Sequence, residues 1–368
     1  MFTSFKALFI AWFLSAAIIG GGGYYVQELY YAGGDTSANE EHTEDADELQ
    51  IEAEDEGPQL EFTSTSTDTN AKKEISRGMG IKADEKALPI QETFIPSIQR
   101  GVLPINAIPA LIEQSESGPL PKKAGNISPF TAYGAPDPSG GRGPRIAIMV
   151  TNIGMSARLS ERAIQELPSA VSLSFSPYGR NLNPLATSAR RAGHEVFLML
   201  PMEPLNYPKD DPGVLALLIK NTNERNIANL KATMTRLSGF VGVTSSMGTR
   251  FVTSVRAIRP ILAELNKRGL MYVDSRETQF TRAPGQAQLL KMPVAINERF
   301  IDMDLTASEI SQALTDLEDK ALQKGIAIGF SSDKRVAIDT IKIWADTLSY
   351  RGITLVPVSS LANAQRIQ

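Results

Sequence analysis

The stretch RIAIMVTNIG, residues 145–154, decides the fold class of this chain. Five apolar residues in succession lead directly into the polar pair Thr151 and Asn152. Continuous apolar runs of this kind are typical of strands that are buried on both faces of a parallel sheet. In parallel α/β folds the carboxyl ends of the strands carry the chemistry, so the polar pair marks a candidate site.

Strand-like and helix-like segments alternate from Pro144 to the end of the chain. Alternation of this kind predicts a parallel sheet with right-handed crossovers, and about eight strands favour a (β/α) barrel over an open sheet. Further apolar runs lie at 171–175, 195–200, 241–245, 270–275, 292–297, 326–331 and 354–359, and helices are predicted at 157–167, 184–192, 224–237, 255–268, 307–323 and 336–350.

The N-terminal part of the chain predicts export from the cytoplasm. Residues 7–27 carry no charge and are mostly apolar, and the preceding residue is Lys6. This length suffices for a membrane-spanning helix, and the positive-inside rule places the N-terminus in the cytoplasm. We therefore expect a single-pass anchor within residues 1–31. A cleaved signal peptide is the alternative, although GGGGYY offers no A-x-A cleavage site.

Two segments of contrasting composition separate the anchor from the folded domain. Residues 32–90 form an acidic linker that we expect to be disordered, because residues 35–68 hold 13 Asp or Glu and no Lys or Arg. Residues 91–143 form a Pro-rich, apolar arm that we expect to be extended and to pack on the domain through Phe130 and Tyr133. The domain itself spans residues 144–368.

The charge of the chain is unevenly distributed. The net charge is −4, so the chain outside the acidic stretch sums to +9. A mildly basic exported domain suits anionic envelope polymers or its own acidic linker, and an ordinary solvated surface is the other interpretation.

Four segments resemble the divergent polysaccharide deacetylase family: GHEVFLMLPMEP (193–204), VGVTSSMGTRF (241–251), LMYVDSR (270–276) and LVPVS (355–359). The resemblance covers residues 144–360 and implies the distorted (β/α) barrel called the NodB fold. It also implies a role in the envelope of a Gram-negative bacterium. The anchor would then lie in the inner membrane and the domain in the periplasm.

Active members of the wider deacetylase superfamily hold a divalent metal with an aspartate and two histidines, beside a second aspartate that acts as base. The resemblance places the aspartate pair at Thr151 and Asn152, and the histidines of the divergent branch at Ser246, Phe330 and Met199. All five positions are substituted, which implies a pseudoenzyme with no metal cofactor. The histidine and cysteine content agrees, because the whole chain holds only His42, His194 and no cysteine.

The alternative function is an active, metal-dependent carbohydrate deacetylase with a rebuilt site. Its candidate catalytic residues are the carboxylates that follow strands, Glu203, Asp274 and Asp302, which together would offer oxygen ligands to Mg²⁺ or Ca²⁺. Each also has a structural interpretation. Glu203, between two prolines, would accept backbone N–H bonds, and Asp274 would pair with Arg250 or Arg276.

Substrate-binding candidates follow the same strand ends, and the arginines suit carboxylate or phosphate groups. The partners expected are envelope glycan or a peptidoglycan-associated protein. We expect no nucleotide, because NIGMSAR lacks a glycine-rich fingerprint, and no nucleic acid. His194 is expected to pack or cap rather than to catalyse. The binding candidates are Asn152, Tyr178, Arg180, Glu203, Arg250 and Arg276.

Overall fold

A curled sheet of nine parallel strands forms the centre of the structure, a computed structural model that describes residues 103–365. Two further strands form a separate antiparallel hairpin. In chain order the strands are β1 (Ile112–Ser115), β2 (Gly118–Pro121), β3 (Arg145–Ile153), β4 (Ser172–Phe175), β5 (Val196–Pro201), β6 (Gly242–Ser246), β7 (Met271–Asp274), β8 (Val294–Ile296), β9 (Arg299–Phe300), β10 (Ile326–Ser332) and β11 (Thr354–Leu355).

The strand order of the sheet is β8-β7-β6-β5-β4-β3-β10-β9, and β11 pairs with the start of β3. The helices between the strands provide the crossovers that parallel pairing requires. They are α1 (Pro129–Tyr133), α2 (Ala157–Glu166), α3 (Leu182–Arg191), α4 (Asn223–Met234), α5 (Val255–Lys267), α6 (Ala283–Leu289), α7 (Ala307–Lys324) and α8 (Arg335–Ala345). The sequence predicted the α/β class, the central strands and all of these helices except α1 and α6.

Side chains alternate between two faces of the sheet, as the two-residue period of a strand requires. On the convex face, residues such as Ile148 and Leu198 pack against the helices. On the concave face, Met149, Phe197 and Phe330 form a second buried cluster. Both faces are therefore covered by apolar groups, which explains the continuous apolar runs in the sequence.

Side-chain caps set the first residue of several helices. Ser156, Thr222, Ser254 and Thr306 each accept a hydrogen bond from the amide three residues later, at the starts of α2, α4, α5 and α7. Such caps satisfy amides that have no partner within the helix.

The last two long helices are joined by a buried polar contact. Trp344 of α8 is almost fully buried, and its Nε1 donates to Oε1 of Glu318 on α7 at 2.7 Å. Arg351 binds the same carboxylate oxygen. This contact holds α8 against α7 on the convex side.

The apolar arm is not simply extended, which corrects the expectation for its described part. It forms the β1–β2 hairpin, whose turn uses Gly118 at φ +116°, and then the short helix α1. Tyr133 is buried in the concave cluster, its hydroxyl accepts a hydrogen bond from the Ile108 amide at 2.8 Å, and Phe130 packs beside it. The predicted contacts of Phe130 and Tyr133 are therefore present, and they close the amino-terminal end of the sheet.

A fully buried carboxylate fastens this closed end. Glu195, just before β5, accepts hydrogen bonds from the Ala135 amide, the Ser172 hydroxyl at 2.6 Å and the Ser359 amide. Burial raises the pKa of Glu195, while these donors oppose the rise. One side chain thus connects the arm, β4, β5 and the C-terminal segment.

The sheet is curled rather than closed. β8 and β9 are its two ends, and β9 pairs with only Gly329 and Phe330 of β10. The free edge of β8 is satisfied instead by the side chains of Asn363 and Gln365. Because β9 leaves the first half of β10 unpaired on this side, a cleft remains between that half of β10 and β8.

No helix within residues 103–365 is both long and apolar enough to cross a membrane. The predicted anchor at residues 7–27 and the predicted linker at residues 32–90 lie outside the described residues.

Candidate functional site

The polar positions at the ends of β3, β5 and β6 meet at the carboxyl edge of the sheet. The Thr151 hydroxyl donates to the Ser331 carbonyl at 3.0 Å, and the Asn152 amide lies 3.3 Å from the Met199 sulfur. Ser246 is in register with Pro201 at the end of β5. The sequence therefore predicted correctly that these positions share one edge.

Three non-glycine residues at this edge have a left-handed backbone. Asn152 has φ 64°, Met247 has φ 60° and Arg276 has φ 52°, at the ends of β3, β6 and β7. Left-handed conformations are uncommon for side chains other than Asn and Asp, and they concentrate at functional sites. Local acceptors hold two of them: Asp274 accepts from the Arg276 amide, and Glu277 accepts from the Met247 amide.

Glu203 acts as a structural clamp at the end of β5. Its carboxylate accepts from the Ile219 amide at 2.5 Å and from Arg250 Nη1 at 2.9 Å. Its carbonyl accepts from the amides of Arg250 and Phe251. Because the side chain is only 5% exposed and both oxygens are engaged, Glu203 joins two loops rather than facing an open site.

Asp274 points away from the mouth that its place in the sequence suggested. Tyr272 lies on the convex face, and Asp274, two residues later on the same strand, shares that face. Its carboxylate accepts hydrogen bonds from the Arg276 amide and from the Thr281 hydroxyl, the latter at 2.7 Å. The predicted ion pair with Arg250 or Arg276 is absent among the described residues, since Arg250 pairs with Glu203. Burial raises the pKa of Asp274, and these donors oppose the rise.

The end of β10 carries two carboxylates with different roles. Asp302 accepts from the Ser332 amide at 2.7 Å and from its hydroxyl, so it caps the strand. Asp333 is buried, and its Oδ2 has no hydrogen-bond partner within residues 103–365. Burial raises the pKa of Asp333, and the nearby Asp302 adds to the rise. Sequence reasoning missed Asp333, although it follows the same apolar run as Ser331 and Ser332.

Tyr178 is tied to a neighbouring loop. Its hydroxyl donates to the Pro212 carbonyl at 2.7 Å and accepts from the Leu215 amide. Arg180 is exposed beside it and forms no ion pair with a described residue. Arg180, one of the predicted binding residues at this edge, therefore has a guanidinium group that is available to bind a ligand.

His194 packs below the site, as predicted. It is fully buried, and its two ring nitrogens lie 2.8 Å from the Val171 carbonyl and 3.1 Å from the Ile164 carbonyl. Burial lowers the pKa of His194. His194 joins the start of β4 to α2 at the amino-terminal end of the sheet. Thr151 lies at the opposite, carboxyl end.

The sequence profile of the divergent polysaccharide deacetylase family matches residues 148–362. The chain belongs to this family. The crystal structure of the uncharacterized protein ATU2773 from Agrobacterium tumefaciens is 34% identical, with a TM-score of 0.64, and covers 66% of this chain and 98% of that one. The uncharacterized protein YibQ of Escherichia coli is 23% identical over 223 residues, which are 61% of this chain and 69% of the relative.

As a divergent polysaccharide deacetylase, the chain can be inspected at the five positions where the family resemblance implied a metal site. The side chains at Thr151, Asn152, Met199, Ser246 and Phe330 are a hydroxyl, an amide, a thioether, a second hydroxyl and a phenyl ring. None is anionic and none is an imidazole, whereas Zn²⁺ and the harder divalent cations require such ligands. This donor set does not fit a divalent metal.

Phe330 is also unavailable on geometric grounds. It lies in the concave cluster, edge-on to Phe300 with ring centroids 6.1 Å apart. Within residues 103–365, no three His, Cys, Asp or Glu side chains are grouped so that they would hold a metal ion. Glu203, Asp274 and Asp302 instead serve three separate sets of local contacts.

Proposed function

We propose that this protein is an inner-membrane-anchored member of the family whose periplasmic, NodB-type barrel domain does not hydrolyse acetyl groups. It docks a protein of the cell envelope through the loops at the carboxyl edge of the sheet. Two independent features support the proposal: the neutral donor set at the edge, and the distribution of exposed apolar side chains around it.

The neutral donor set lacks both the metal ligands and the general base that acetyl hydrolysis in this superfamily requires. Metal-assisted hydrolysis needs a cation that polarises the acetyl carbonyl and a base that accepts the proton of water. Thr151 and Asn152 supply neither near neutral pH. Asn152, with its left-handed backbone, carries a neutral amide where the family resemblance implies a carboxylate.

The distribution of exposed apolar side chains is the observation that carries the docking proposal. Among the described residues, eight of fourteen large exposed apolar side chains lie on the carboxyl-edge loops. Of the other six, Ile105 lies in the arm and Tyr350 lies in the connection between α8 and β11. Concentrated apolar exposure marks protein interaction sites. The eight, which we call the apolar rim, are Met155, Tyr178, Leu205, Val214, Ile219, Phe280, Met303 and Leu305.

The composition of the apolar rim favours a protein over a glycan. Val214 is 86% exposed and Met303 is 82% exposed, and only Tyr178 and Phe280 are aromatic. Aliphatic and methionine side chains adapt to apolar protein surfaces. Sugar rings often stack on flat aromatic faces, which the rim offers only at Tyr178 and Phe280, and the hydroxyl end of Tyr178 is fixed in a loop.

Rim variants of the full chain test the docking function. Val214→Asp and Met303→Asp are expected to abolish photo-crosslinking to an envelope protein. Leu289→Asp and Ile343→Asp, at exposed apolar positions on α6 and α8, should retain it. Equal crosslinking by all four variants would contradict docking at the rim. Binding to protein-free sacculi that is lost only in the rim variants would assign the rim to glycan.

The second candidate function is a deacetylase with a rebuilt site, and the unpartnered, buried Asp333 is the observation that favours it. Hydrolysis of acetylated oligosaccharides with added Zn²⁺, Mn²⁺ or Ca²⁺, abolished by Asp333→Asn, would establish this function. We expect no turnover above that of the Asp333→Asn variant.

A further inference from the structure

The open seam of the sheet forms a cleft that is separate from the strand-end positions of the candidate site. It lies between β8 and the first half of β10, and α6 and the end of α7 flank it. Its volume is about 880 Å³. This volume is within the range of clefts that hold small-molecule ligands and is far larger than a single ion needs.

Cationic and amide side chains dominate the lining of this cleft. Three cationic residues line the cleft. Arg276 lies in the left-handed turn after β7, Arg282 immediately precedes α6, and Lys324 is the last residue of α7. Gln279, Gln286 and Gln323 also line the cleft. Arg276, predicted as a residue of the mouth, therefore belongs to the side cleft.

The charge of the cleft is not neutralised by its described lining. Glu298 is the carboxylate that lines it within residues 103–365, and it is already engaged. One oxygen accepts from the Ile328 amide at 3.3 Å, and the other lies 3.4 Å from Lys324 Nζ. Arg276 and Arg282 form no ion pair with any described residue. Two guanidinium groups are thus left to an incoming anion.

The neighbouring amides narrow the chemistry of that anion. A guanidinium binds a carboxylate through two parallel hydrogen bonds. Each glutamine amide both donates and accepts, which matches hydroxyl groups that do the same. The described lining offers no aromatic side chain on which a nucleobase would stack. We propose that the cleft binds a carboxylate-bearing saccharide, with the carboxylate on Arg276 and Arg282 and the hydroxyls on the glutamines.

Calorimetric titration of the full chain with a galacturonate hexamer tests the proposal. The methyl-esterified hexamer is the matched ligand, because it keeps the sugar rings and removes the charge. The double variant Arg276→Gln/Arg282→Gln is expected to weaken binding of the acidic hexamer at least about tenfold, as loss of charged hydrogen bonds predicts. The control Arg225→Gln/Arg259→Gln removes two exposed arginines from α4 and α5 and should change the affinity less than about twofold.

Each outcome decides the proposal. No binding of the acidic hexamer at millimolar concentration, equal loss in both double variants, or equal affinity for the esterified hexamer would overturn it. Displacement of the hexamer by inorganic phosphate at equal concentration would show that the cleft binds anions in general. It would overturn the assignment of a saccharide ligand. Unchanged binding by Val214→Asp would separate this cleft from the apolar rim, so that either proposal can fail alone.

Discussion

At the scale of single residues, the two ends of the sheet differ in their chemistry. The carboxyl edge carries neutral groups such as Thr151 and Asn152, whereas the amino end holds the buried carboxylate of Glu195. Glu195 binds one hydroxyl and two amides of distant segments. A titratable group that connects three distant segments therefore lies away from the candidate site.

Glu195 predicts a pH-dependent stability. Its folded pKa lies above the ordinary value of 4.5 because of burial. Below pH 4.5 the group is protonated in both states, and its contribution to stability is fully present. As pH rises, the unfolded chain loses the proton first, so this contribution is lost up to the folded pKa.

Glu195→Gln should remove this pH dependence. Urea unfolding between pH 4 and pH 8 is expected to show a smaller loss of stability with rising pH in the variant than in the natural chain. Glu161→Gln, an exposed position on α2, should leave the slope unchanged. Because the comparison uses slopes, a constant destabilisation by the amide does not affect it. Parallel slopes in all three proteins would contradict the assignment.

The roles of single carboxylates were only partly predictable. The strand ends indicated Glu203, Asp274 and Asp302, but their partners are set by tertiary contacts. The Ile219 amide that binds Glu203 is sixteen residues away in the chain, in a loop with no periodic pattern. The outward direction of Asp274 follows from strand register, which a single sequence does not fix.

At the scale of secondary-structure elements, the arm behaves as part of the domain. The arm buries Leu111 and Tyr133 in the concave cluster and Leu120 in the cluster on the helix side. The sequence indicated this contact through its aromatic residues. The hairpin was missed because Pro119 and Pro121 argue against a strand, and both are tolerated here in a two-stranded ribbon at the surface. Helix α6 was missed because Pro284 and Gly285 interrupt its helical pattern.

Tyr133→Phe tests how the arm is attached. The substitution keeps the ring in the concave cluster and leaves the buried Ile108 amide without its acceptor. We expect a loss of about 1–3 kcal/mol in the free energy of unfolding. Limited proteolysis should cut the arm faster than in the natural chain. Gln114→Ala, at an exposed position on β1, is the control, and equal cleavage of both variants would place the loss elsewhere.

At the scale of the whole molecule, the sheet places along one edge the positions at which the family resemblance implied metal ligands. Thr151 and Asn152 lie at the end of β3 and Ser246 at the end of β6, with β4 and β5 between them, and the parallel sheet brings both ends to one edge. The apolar runs and the alternation of elements predicted this convergence. The open seam was not predictable, because it depends on the short β9 and on side chains that satisfy the edge of β8.

Restoring charged ligands at these positions tests the convergence. The triple variant Thr151→Asp/Asn152→Asp/Ser246→His is expected to bind Zn²⁺ in calorimetric titration, since carboxylates and imidazole are side-chain ligands that bind Zn²⁺ in proteins. The natural chain is expected to bind none at the same concentration. As a control, Leu322→Asp/Ile343→Asp/Leu289→His adds the same groups at exposed positions on α7, α8 and α6. Equal binding by both triple variants would show that the positions do not form one site.

The buried contact between Trp344 and Glu318 gives this protein a built-in optical probe. The chain has two tryptophans, and Trp12 falls in the predicted membrane span, so emission from the folded domain comes from Trp344 alone. Its indole sits where α8 meets α7, and α7 also borders the side cleft. A shift of its fluorescence to longer wavelength would report separation of the two helices. Ligand entry into the seam could thus be followed in real time without a dye.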